Sequence, residues 1–179
     1  MLSSVFKAYD VRAVYPDPLN ADVARRIGWG AGDWFMEQSP GVDAAGPVTI
    51  AVGHDMRTSS PELVEALEHG LQARGCHVVH VGLVDTPFIA FAVNHLGADG
   101  GIQTTASHNP AHYNGFKICA AGARPVGLST GLDSICQRAE AAPGDIPEPA
   151  GSRSAADLWD AYRAHVFQFL SPSIQQGEV

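Results

Sequence analysis

Positive charge is scarce in this chain of 179 residues. Eleven lysines and arginines stand against nineteen aspartates and glutamates, so the formal net charge is −8 at pH 7. A protein that binds nucleic acid needs a basic surface to replace the counterions of the phosphates, so this composition argues against nucleic acid as a partner. A small anionic substrate stays compatible, provided that a few locally placed cations hold it. The only lysines are Lys7 and Lys117.

Cysteine and long apolar runs are also sparse. The three cysteines, Cys76, Cys119 and Cys136, form no C-x-x-C pair and leave an odd count, which is typical of reduced, buried thiols in a cytosolic protein. The first ten residues contain no apolar segment of the kind found in secretion signals. No apolar run approaches the ~20 residues that span a bilayer. We therefore expect a cytoplasmic protein with no membrane partner.

Helices and strands alternate through the first 141 residues, and 45% hydrophobic residues suffice for the core of one domain. Apolar periodicity predicts helices over about 20–38, 60–74, 86–96 and 129–141, the first three with Asn20, Ser60 and Thr86 as N-caps. Short apolar runs predict strands over 48–52, 76–81, 101–104 and 116–119. This alternation indicates an α/β, three-layer domain with a mostly parallel mixed sheet. The connection before the last strand is too short for a crossover helix, so that strand should be antiparallel.

Two regions weaken or end this pattern. Gly28, Gly30 and Gly32 lie inside the first predicted helix, where each glycine costs ~1 kcal/mol relative to alanine, and a loop follows over 39–47. Residues 142–179 form a second unit: a proline-rich linker, an amphipathic connector helix from about Ser154 to Leu170, and a tail from Ser171 to Val179 that we expect to be unstructured. The domain boundary is therefore predicted at residue 141.

The strongest chemical signal is the polar segment Thr-Ala-Ser-His-Asn-Pro at 105–110, followed by Tyr-Asn-Gly-Phe up to Lys117. It offers a hydroxyl at Ser107, an imidazole at His108, an amide at Asn109 and a fixed cation at Lys117. A serine used in covalent catalysis needs activating or charge-balancing neighbours. A phosphoryl group on that serine needs cations and hydrogen-bond donors, and this segment supplies them.

Three other interpretations of the segment compete with this one. Ser, His, Asn and Pro all favour turns, so the segment could be a turn and nothing more. His108 and His112 have the spacing of metal ligands on a helix, but Pro110 breaks that helix and argues against zinc. A hydrolase triad is disfavoured, because no G-x-S-x-G elbow is present and His108 is poorly placed to act as the base for Ser107.

Three segments, in the same order, resemble those of the α-D-phosphohexomutases. The run TASHNP…YNGFK at 105–117 resembles the active-site serine loop of that family. FKAYDVR at 6–12 resembles its F-x-x-Y-D-I-R-G segment, and VGHDMRTSS at 52–60 resembles its V-G-x-D-x-R-x-S segment. The resemblance extends to the linker near Ala141. It is a resemblance to the N-terminal, phosphoserine-bearing domain of the phosphomannomutase/phosphoglucomutase type.

The resemblance implies interconversion of hexose 1-phosphate and hexose 6-phosphate. A phosphoserine at Ser107 would donate its phosphoryl group to the sugar phosphate, the bisphosphate would reorient, and the other phosphate would return to Ser107. The implied activator is glucose or mannose 1,6-bisphosphate. The implied cofactor is Mg²⁺, with a phosphoserine oxygen of Ser107 as one ligand. Positioning and electrostatics supply most of the catalysis in such transfers.

The family's roles are carried over only to matching positions. Tyr9 and Arg12 would line the reaction centre and contact phosphate. Lys117 would act with Arg12 in charge stabilisation or proton transfer, and His108 would support the phosphoserine. Together with Tyr9, Arg12 and Lys117, the amide of Asn109 completes the expected substrate-binding set.

Two further positions are judged differently. For Asp55 and Arg57, a structural ion pair or an anchor for the loop is favoured over a catalytic role. The glycine that follows the arginine in the family is Ala13 here. If that position needs a positive φ, alanine costs roughly 1–2 kcal/mol, and Ala13→Gly should stabilise the domain slightly or leave it unchanged.

Three segments of the family do not occur in the 179 residues: an aspartate-rich D-G-D-G-D-R metal loop, a sugar-recognition loop and a phosphate-binding loop. We therefore expect a fragment, a truncated product or one piece of a split enzyme, completed by missing C-terminal domains in cis or in trans. The alternative is a non-catalytic remnant that binds a sugar phosphate or a partner chain.

The N-terminal segment also bears on the substrate. The segment from Ala8 to Arg12 resembles that of the mannose/glucose branch of the family. The phosphoglucosamine and glucose-specific branches have small residues where Tyr9 stands. We expect mannose 1- or 6-phosphate as substrate, with activity on glucose phosphates as a second expectation and poor activity on glucosamine phosphate.

Overall fold

A seven-stranded sheet runs through the computed structural model, which describes residues 2–39 and 46–170. In chain order the strands are β1 (Val11–Val14), β2 (Thr49–His54), β3 (His77–Leu83), β4 (Gly100–Thr104), β5 (Tyr113–Ala120), β6 (Arg124–Pro125) and β7 (Arg153–Ala155). Their spatial order is β1-β5-β4-β2-β3-β7, and β6 also pairs with β5. Most of the loop predicted over 39–47 and all of the tail predicted over Ser171–Val179 lie outside the described residues.

One strand runs against the rest of the sheet. β2 pairs parallel with β3 and β4, and β7 pairs parallel with β3. β5 pairs antiparallel with β1, β4 and β6, so among the described strands only β5 is reversed. This confirms the mostly parallel mixed sheet and the antiparallel pairing of the last predicted strand. The physical reason is the short connection between Thr104 and Tyr113, which leaves no room for a crossover helix.

Helices cover both faces of the sheet and make the predicted three layers. They are α1 (Ala21–Gln38), α2 (Ser60–Ala73), α3 (Thr86–Leu96), α4 (Leu132–Glu140) and α5 (Trp159–Phe167). α1, α2 and α4 pack on one face around a core that includes Ile27, Phe35, Leu67, Phe116 and Ile135. α3 covers the other face, and α5 packs on α3 through rings of Trp159 and Tyr162 that contact Phe88. In the described part of the chain, every helix is too short or too polar to cross a bilayer.

The helix starts lie close to the predicted ones. Asn20 caps α1 as predicted, because its side-chain oxygen accepts a hydrogen bond from the Val23 amide at 3.0 Å. For α2 and α3 the cap lies one residue earlier than predicted: Ser59 replaces Ser60, and Asp85 replaces Thr86. In α3 the carboxylate of Asp85 accepts from the Phe88 amide at 3.0 Å, which satisfies a donor that the helix leaves unpaired.

The glycines of α1 serve close helix packing. A Cβ atom on Gly28 would lie 2.1 Å from the carbonyl oxygen of Leu67 in α2. A Cβ atom on Gly30 would lie 2.6 Å from the carbonyl oxygen of Ile135 in α4. Glycine therefore lets α1 approach both neighbours closely, and the buried area gained offsets the poor helix propensity on which the sequence-based doubt rested.

Four elements differ from the sequence-based predictions. Neither β1 nor β6 was predicted. The connector helix, expected over 154–170, spans only Trp159–Phe167, and Arg153–Ala155 forms β7 on the edge of β3 instead. α4 begins at Leu132, after a 3-10 turn over Leu128–Thr130, and not near residue 129. In each case pairing or packing with distant residues decides the conformation, which local periodicity does not report.

The condition for a left-handed turn at Ala13 is not met. Ala13 lies within β1, pairs with Asn114 of β5, is buried, and has no positive φ. A glycine there would lose a buried methyl group and gain backbone freedom in the unfolded state. Ala123 is the contrasting case, since it does have a positive φ of 57°.

We predict that Ala13→Gly lowers the free energy of unfolding by about 0.5–1 kcal/mol, as glycine does inside a strand. The matched control is Ala123→Gly, which should leave stability unchanged or raise it by up to about 1 kcal/mol, because it relieves a left-handed backbone. Urea denaturation of both variants checks this. A stabilised Ala13→Gly variant would contradict the strand assignment.

Candidate active site

The serine loop, residues 105–112, connects β4 to β5 at the carboxyl end of the parallel strands. Ser107 is exposed and has a φ of 55°, a left-handed conformation that residues other than glycine adopt at a cost. The Ser107 amide donates to the hydroxyl of Thr105 at 2.9 Å. The side-chain and backbone nitrogens of Asn109 both donate to the carbonyl of Ala106, at 2.8 and 3.1 Å. These local bonds fold the loop tightly around the serine.

Arg57 holds the loop from outside. Its side chain is 12% exposed, and its Nε donates to Asp55 at 3.1 Å. Its two terminal nitrogens donate to four backbone carbonyls at 2.8–3.0 Å, those of Ser107, Asn109, Pro110 and Tyr113. A guanidinium has five N–H donors, so every donor of Arg57 is used. The loop conformation therefore depends on this one side chain.

Asp55 connects the loop anchor to the rest of the fold. It follows β2 directly, and its amide donates to the carbonyl of Thr104 at the end of β4. Its carboxylate accepts from the hydroxyls of Ser60 at 2.6 Å and Thr105 at 2.7 Å, in addition to Arg57. Asp55 and Arg57 thus form both the ion pair and the loop anchor that the sequence favoured.

A groove of about 1070 Å³ opens beside the serine loop. It lies where β2, β3 and β4 end, which is where open α/β sheets commonly bind ligands. Its lining includes Met56, Leu83, Asp85, Gln103, Ser107 and Trp159. The exposed hydroxyl of Ser107 is the one nucleophile of the predicted site in this lining.

Arg12 of β1 and Lys117 of β5 share one buried carboxylate, that of Asp10, which immediately precedes β1. Asp10 is 6% exposed. Its Oδ2 accepts from the ammonium of Lys117 at 3.2 Å, and its Oδ1 lies 3.4 Å from a terminal nitrogen of Arg12. The side chains of Arg12 and Lys117 are 31% and 33% exposed, so both remain accessible. Sequence reasoning gave Asp10 no role, and its signal was its position inside the same motif as Tyr9 and Arg12.

Strand register places this cation cluster (Asp10, Arg12 and Lys117) on the same face of the sheet as the groove. Val11 and Phe116, next to them in sequence, point into the core under α1, and side chains alternate along a strand. Lys117 pairs with Gln103 of β4, which lines the groove. Within residues 2–39 and 46–170, no hydrogen bond or ion pair joins the cation cluster directly to the serine loop.

The two arginines of the site differ in a way that the sequence did not reveal. Every N–H group of Arg57 is occupied. No hydrogen bond among the described residues uses a donor of Arg12, whose only charged contact there is Asp10. An arginine with free donors can grip a phosphate bidentately, whereas an arginine with none can only support structure. This supports Arg12, and not Arg57, as the anion-binding group.

The remaining predicted residues occupy separate positions. The His108 Nδ1 lies 3.4 Å from the Ser107 hydroxyl, at the long end for a hydrogen bond, and both side chains are exposed. Tyr9 is 83% exposed and lines a second groove with residues 125–130, whose lining does not include Ser107. One N–H of the Asn109 side-chain amide donates to Ala106 within the loop, which leaves the second N–H and the amide oxygen for a substrate. No cluster of metal ligands forms at His108 or elsewhere in the described residues.

The cysteines offer no competing nucleophile. All three are free, as the odd count predicted. Burial raises the pKa of the Cys76 thiol to about 12 and that of Cys119 to about 11, and it also raises the pKa of Cys136. Thiols with such pKa values stay protonated near neutral pH and are poor nucleophiles.

We predict that Arg57→Lys lowers the free energy of unfolding by at least about 2 kcal/mol, since a lysine ammonium cannot reach four carbonyls and a carboxylate at once. Amide hydrogen exchange should accelerate at Ser107 and Asn109 more than in β2. The control is Arg163→Lys, whose ion pair with Asp160 is exposed and should be nearly neutral. Unchanged exchange in the serine loop of Arg57→Lys would contradict the anchoring role.

Comparisons with known proteins agree with these observations. The family model described as phosphoglucomutase/phosphomannomutase, alpha/beta/alpha domain I, matches residues 3–143. A phosphomannomutase of Salmonella montevideo is 42% identical over 170 residues, which cover 93% of this chain and 35% of that protein. A protein of Xanthomonas campestris pv. campestris named phosphohexose mutases is 39% identical over 173 residues, which cover 97% of this chain and 36% of that protein.

A solved structure supports the same conclusion. The crystal structure of a phosphoglucomutase/phosphomannomutase family protein from Burkholderia thailandensis superimposes with a TM-score of 0.79 at 36% sequence identity, over 94% of this chain and 36% of that one. The chain thus spans about a third of the length of these three relatives. The resemblance inferred from the three motifs is confirmed: this chain belongs to the phosphoglucomutase/phosphomannomutase family and contains its N-terminal α/β/α domain.

Proposed function

We propose that this domain carries the phosphoserine of a hexose-phosphate mutase, with Ser107 as the phosphorylated residue. The observation that carries the proposal is the serine loop itself. Ser107 is exposed, adopts a φ of 55°, and borders the groove, while Arg57 occupies the surrounding carbonyls. A backbone held in such a conformation at a groove is typical of functional sites. The alternative, an ordinary turn, would not require an arginine that uses all five of its N–H donors to hold it.

The proposed reaction is two phosphoryl transfers in opposite directions. In the first, a hydroxyl oxygen of the hexose monophosphate forms a bond to the phosphorus on Ser107, and the bond from phosphorus to Ser107 Oγ breaks. The hexose hydroxyl loses its proton, and the released serine oxygen takes one up. The bisphosphate then reorients and returns its other phosphate to Ser107. The phosphate has then moved between the 1- and 6-oxygens, with no water consumed.

Charge placement supports roles for the predicted cations. Lys117 and Arg12 are about a third exposed on the face of the groove, so they are available to stabilise charge on the transferring group. Lys117 is also available to move a proton, since an ammonium can lose one and a guanidinium cannot. His108, beside the serine hydroxyl, would support the phosphoserine. The net charge of −8 makes these local cations decisive, because no long-range positive field exists to attract a phosphate.

The hexose is proposed to be mannose, with glucose as a second substrate. Tyr9 is 83% exposed and presents an aromatic ring and a hydroxyl beside the groove at residues 125–130. The relatives named above are a phosphomannomutase and a protein named phosphohexose mutases. Because the chain spans about 35% of the Salmonella protein, the activity and substrate of a complete enzyme remain part of the proposal. Missing C-terminal domains, in cis or in trans, are proposed as partners.

The described residues do not by themselves fit Mg²⁺. They contain no group of three or more His, Cys, Asp or Glu side chains able to hold a metal, whereas Mg²⁺ requires a nearly octahedral oxygen shell. Ser107 would contribute one phosphoserine oxygen, and the remaining ligands would come from elsewhere. No step of the proposed chemistry is assigned to the metal here.

We predict that the isolated, unphosphorylated chain binds Mg²⁺ with an affinity weaker than millimolar. Isothermal titration calorimetry with MgCl₂ measures this directly, and Asp10→Asn, which removes the buried carboxylate beside Lys117, is the control and should bind equally weakly. Micromolar affinity would reveal a metal site that the described residues do not contain and would count against the proposed division of ligands between domains.

We predict that Ser107 is the one serine phosphorylated by mannose 1,6-bisphosphate, with the C-terminal domains of a full-length relative supplied in trans. Ser107→Ala should abolish incorporation and change the free energy of unfolding by less than about 0.5 kcal/mol, because the side chain is exposed. Ser129→Ala, at another exposed serine, is the matched control and should incorporate normally. Peptide mass spectrometry locates the phosphate.

Phosphate on Ser129 or Ser152 would refute the assignment. No incorporation at all into a folded chain would favour the alternative of a non-catalytic remnant. Comparing mannose, glucose and glucosamine 1,6-bisphosphates in the same assay tests the proposed hexose. A tenfold preference for the glucosamine compound, about 1.4 kcal/mol in the transition state, would overturn the mannose assignment.

A further inference from the structure

One buried charge in the site has no part in the proposed chemistry. Asp10 is 6% exposed, yet its carboxylate lies between the two cations that are proposed to act on phosphate. Burying a carboxylate is costly unless cations and hydrogen bonds compensate for the lost water. Only Lys117 supplies a hydrogen bond to the Asp10 carboxylate. The Oδ1 atom of Asp10 has no hydrogen-bond donor among the described residues and faces only the charge of Arg12 at 3.4 Å.

Backbone hydrogen bonding fixes the turn that carries Asp10. Phe6 and Val11 form an antiparallel bridge, and the amide of Lys7 donates to the carbonyl of Asp10 at 2.8 Å. The pairing of Val11 with Phe116 in β1 and β5 then brings Asp10 opposite Lys117. The carboxylate is therefore placed by the main chain, whereas the long side chains of Arg12 and Lys117 are free to adjust to it.

Two neighbouring cations repel each other, and long side chains in that situation move apart into water. A carboxylate between them removes the repulsion and fixes both in one place. Asp10 does so while leaving the donors of Arg12 unused, because the Arg12 contact is an ion pair without a hydrogen bond in the described part of the molecule. The cations are thus held together and still able to bind an anion.

We infer that Asp10 is a positioning residue whose carboxylate holds Arg12 and Lys117 side by side as a preformed phosphate clamp. The identity of the anion, a phosphoryl group, rests on the proposed function. The arrangement of the three charges is independent of that function, because it is a property of this chain. Preorganised charge of this kind stabilises a transferring phosphoryl group without rearrangement during the reaction.

The lysine content of the chain permits a sharp test. Lys7 and Lys117 are the only lysines, so mass spectrometry resolves the acetylation of each by acetic anhydride at pH 8. Lys7, whose ammonium donates to the carbonyl of Ser4 at 2.6 Å, is the internal reference. The Lys117 ammonium lies 3.2 Å from the Asp10 carboxylate and is 33% exposed, so the ion pair limits the access of the reagent to it. Released from that pair, the side chain can turn into water and react faster.

In Asp10→Asn, the acetylation rate of Lys117 relative to Lys7 should rise severalfold, because the ammonium is no longer held in its ion pair. Asp10→Glu should restore most of the slow rate, because it keeps the charge. Asp17→Asn, at an exposed carboxylate, should leave the ratio unchanged. If Asp10→Asn does not fold, Arg12→Gln replaces it: with its competitor removed, Asp10 should hold Lys117 more tightly and slow its acetylation.

An acetylation ratio that is the same in the wild-type chain and in folded Asp10→Asn would overturn the inference, and so would a faster reaction of Lys117 in Arg12→Gln. These outcomes are independent of Ser107. If Ser107 is never phosphorylated but the ratio responds to Asp10, the proposed mutase function fails while the positioning role stands. If Ser107 is phosphorylated but the ratio does not respond, the positioning role of Asp10 fails while the proposed mutase function stands.

Discussion

The guanidinium of Arg57 and the carboxylate of Asp55 hold the serine loop in a conformation that its own residues would not keep. Three loop carbonyls and that of Tyr113, at the start of β5, converge on Arg57, and Asp55 fixes that arginine to the ends of β2 and β4. The left-handed backbone of Ser107 persists because these bonds compensate for its cost. The exposure of the serine hydroxyl at the groove follows from them, and so does the reach of any group transferred to it.

The site separates structural charge from chemical charge. Arg57 has all its donors satisfied inside the protein, while Arg12 and Lys117 face solvent around the buried carboxylate of Asp10. In a chain with a net charge of −8, this division uses few of the eleven lysines and arginines. One arginine shapes the loop, and two other cations remain for an anion. Neither group can replace the other, because satisfied donors do not bind ligands and unsatisfied donors do not hold a loop.

The reversed strand β5 joins the two parts of the site. Its first residues follow the serine loop, and four residues into the strand it carries Lys117. Because β5 is antiparallel to both neighbours, Gln103 of β4 lies on one side of Lys117, and the start of β1 brings Asp10 and Arg12 to the other. A parallel β5 would reach the sheet through a crossover and carry its lysine away from the loop.

The sequence by itself determined the alternation of helices and strands, the antiparallel turn at the serine loop, the family, and the residues of the loop and its cations. Those features are local or contiguous, so periodicity and motif are enough to predict them. Only the tertiary structure decided that β1 and β7 exist as strands, that Ala13 is extended, and that Tyr9 lines a groove with residues 125–130. It also decided that Arg57 uses all its donors to hold the serine loop and that Asp10 pairs with two cations. Asp10 and Lys117 are 107 residues apart in the chain, and contacts over such separations arise from strand pairing and register, which no local pattern of residues encodes.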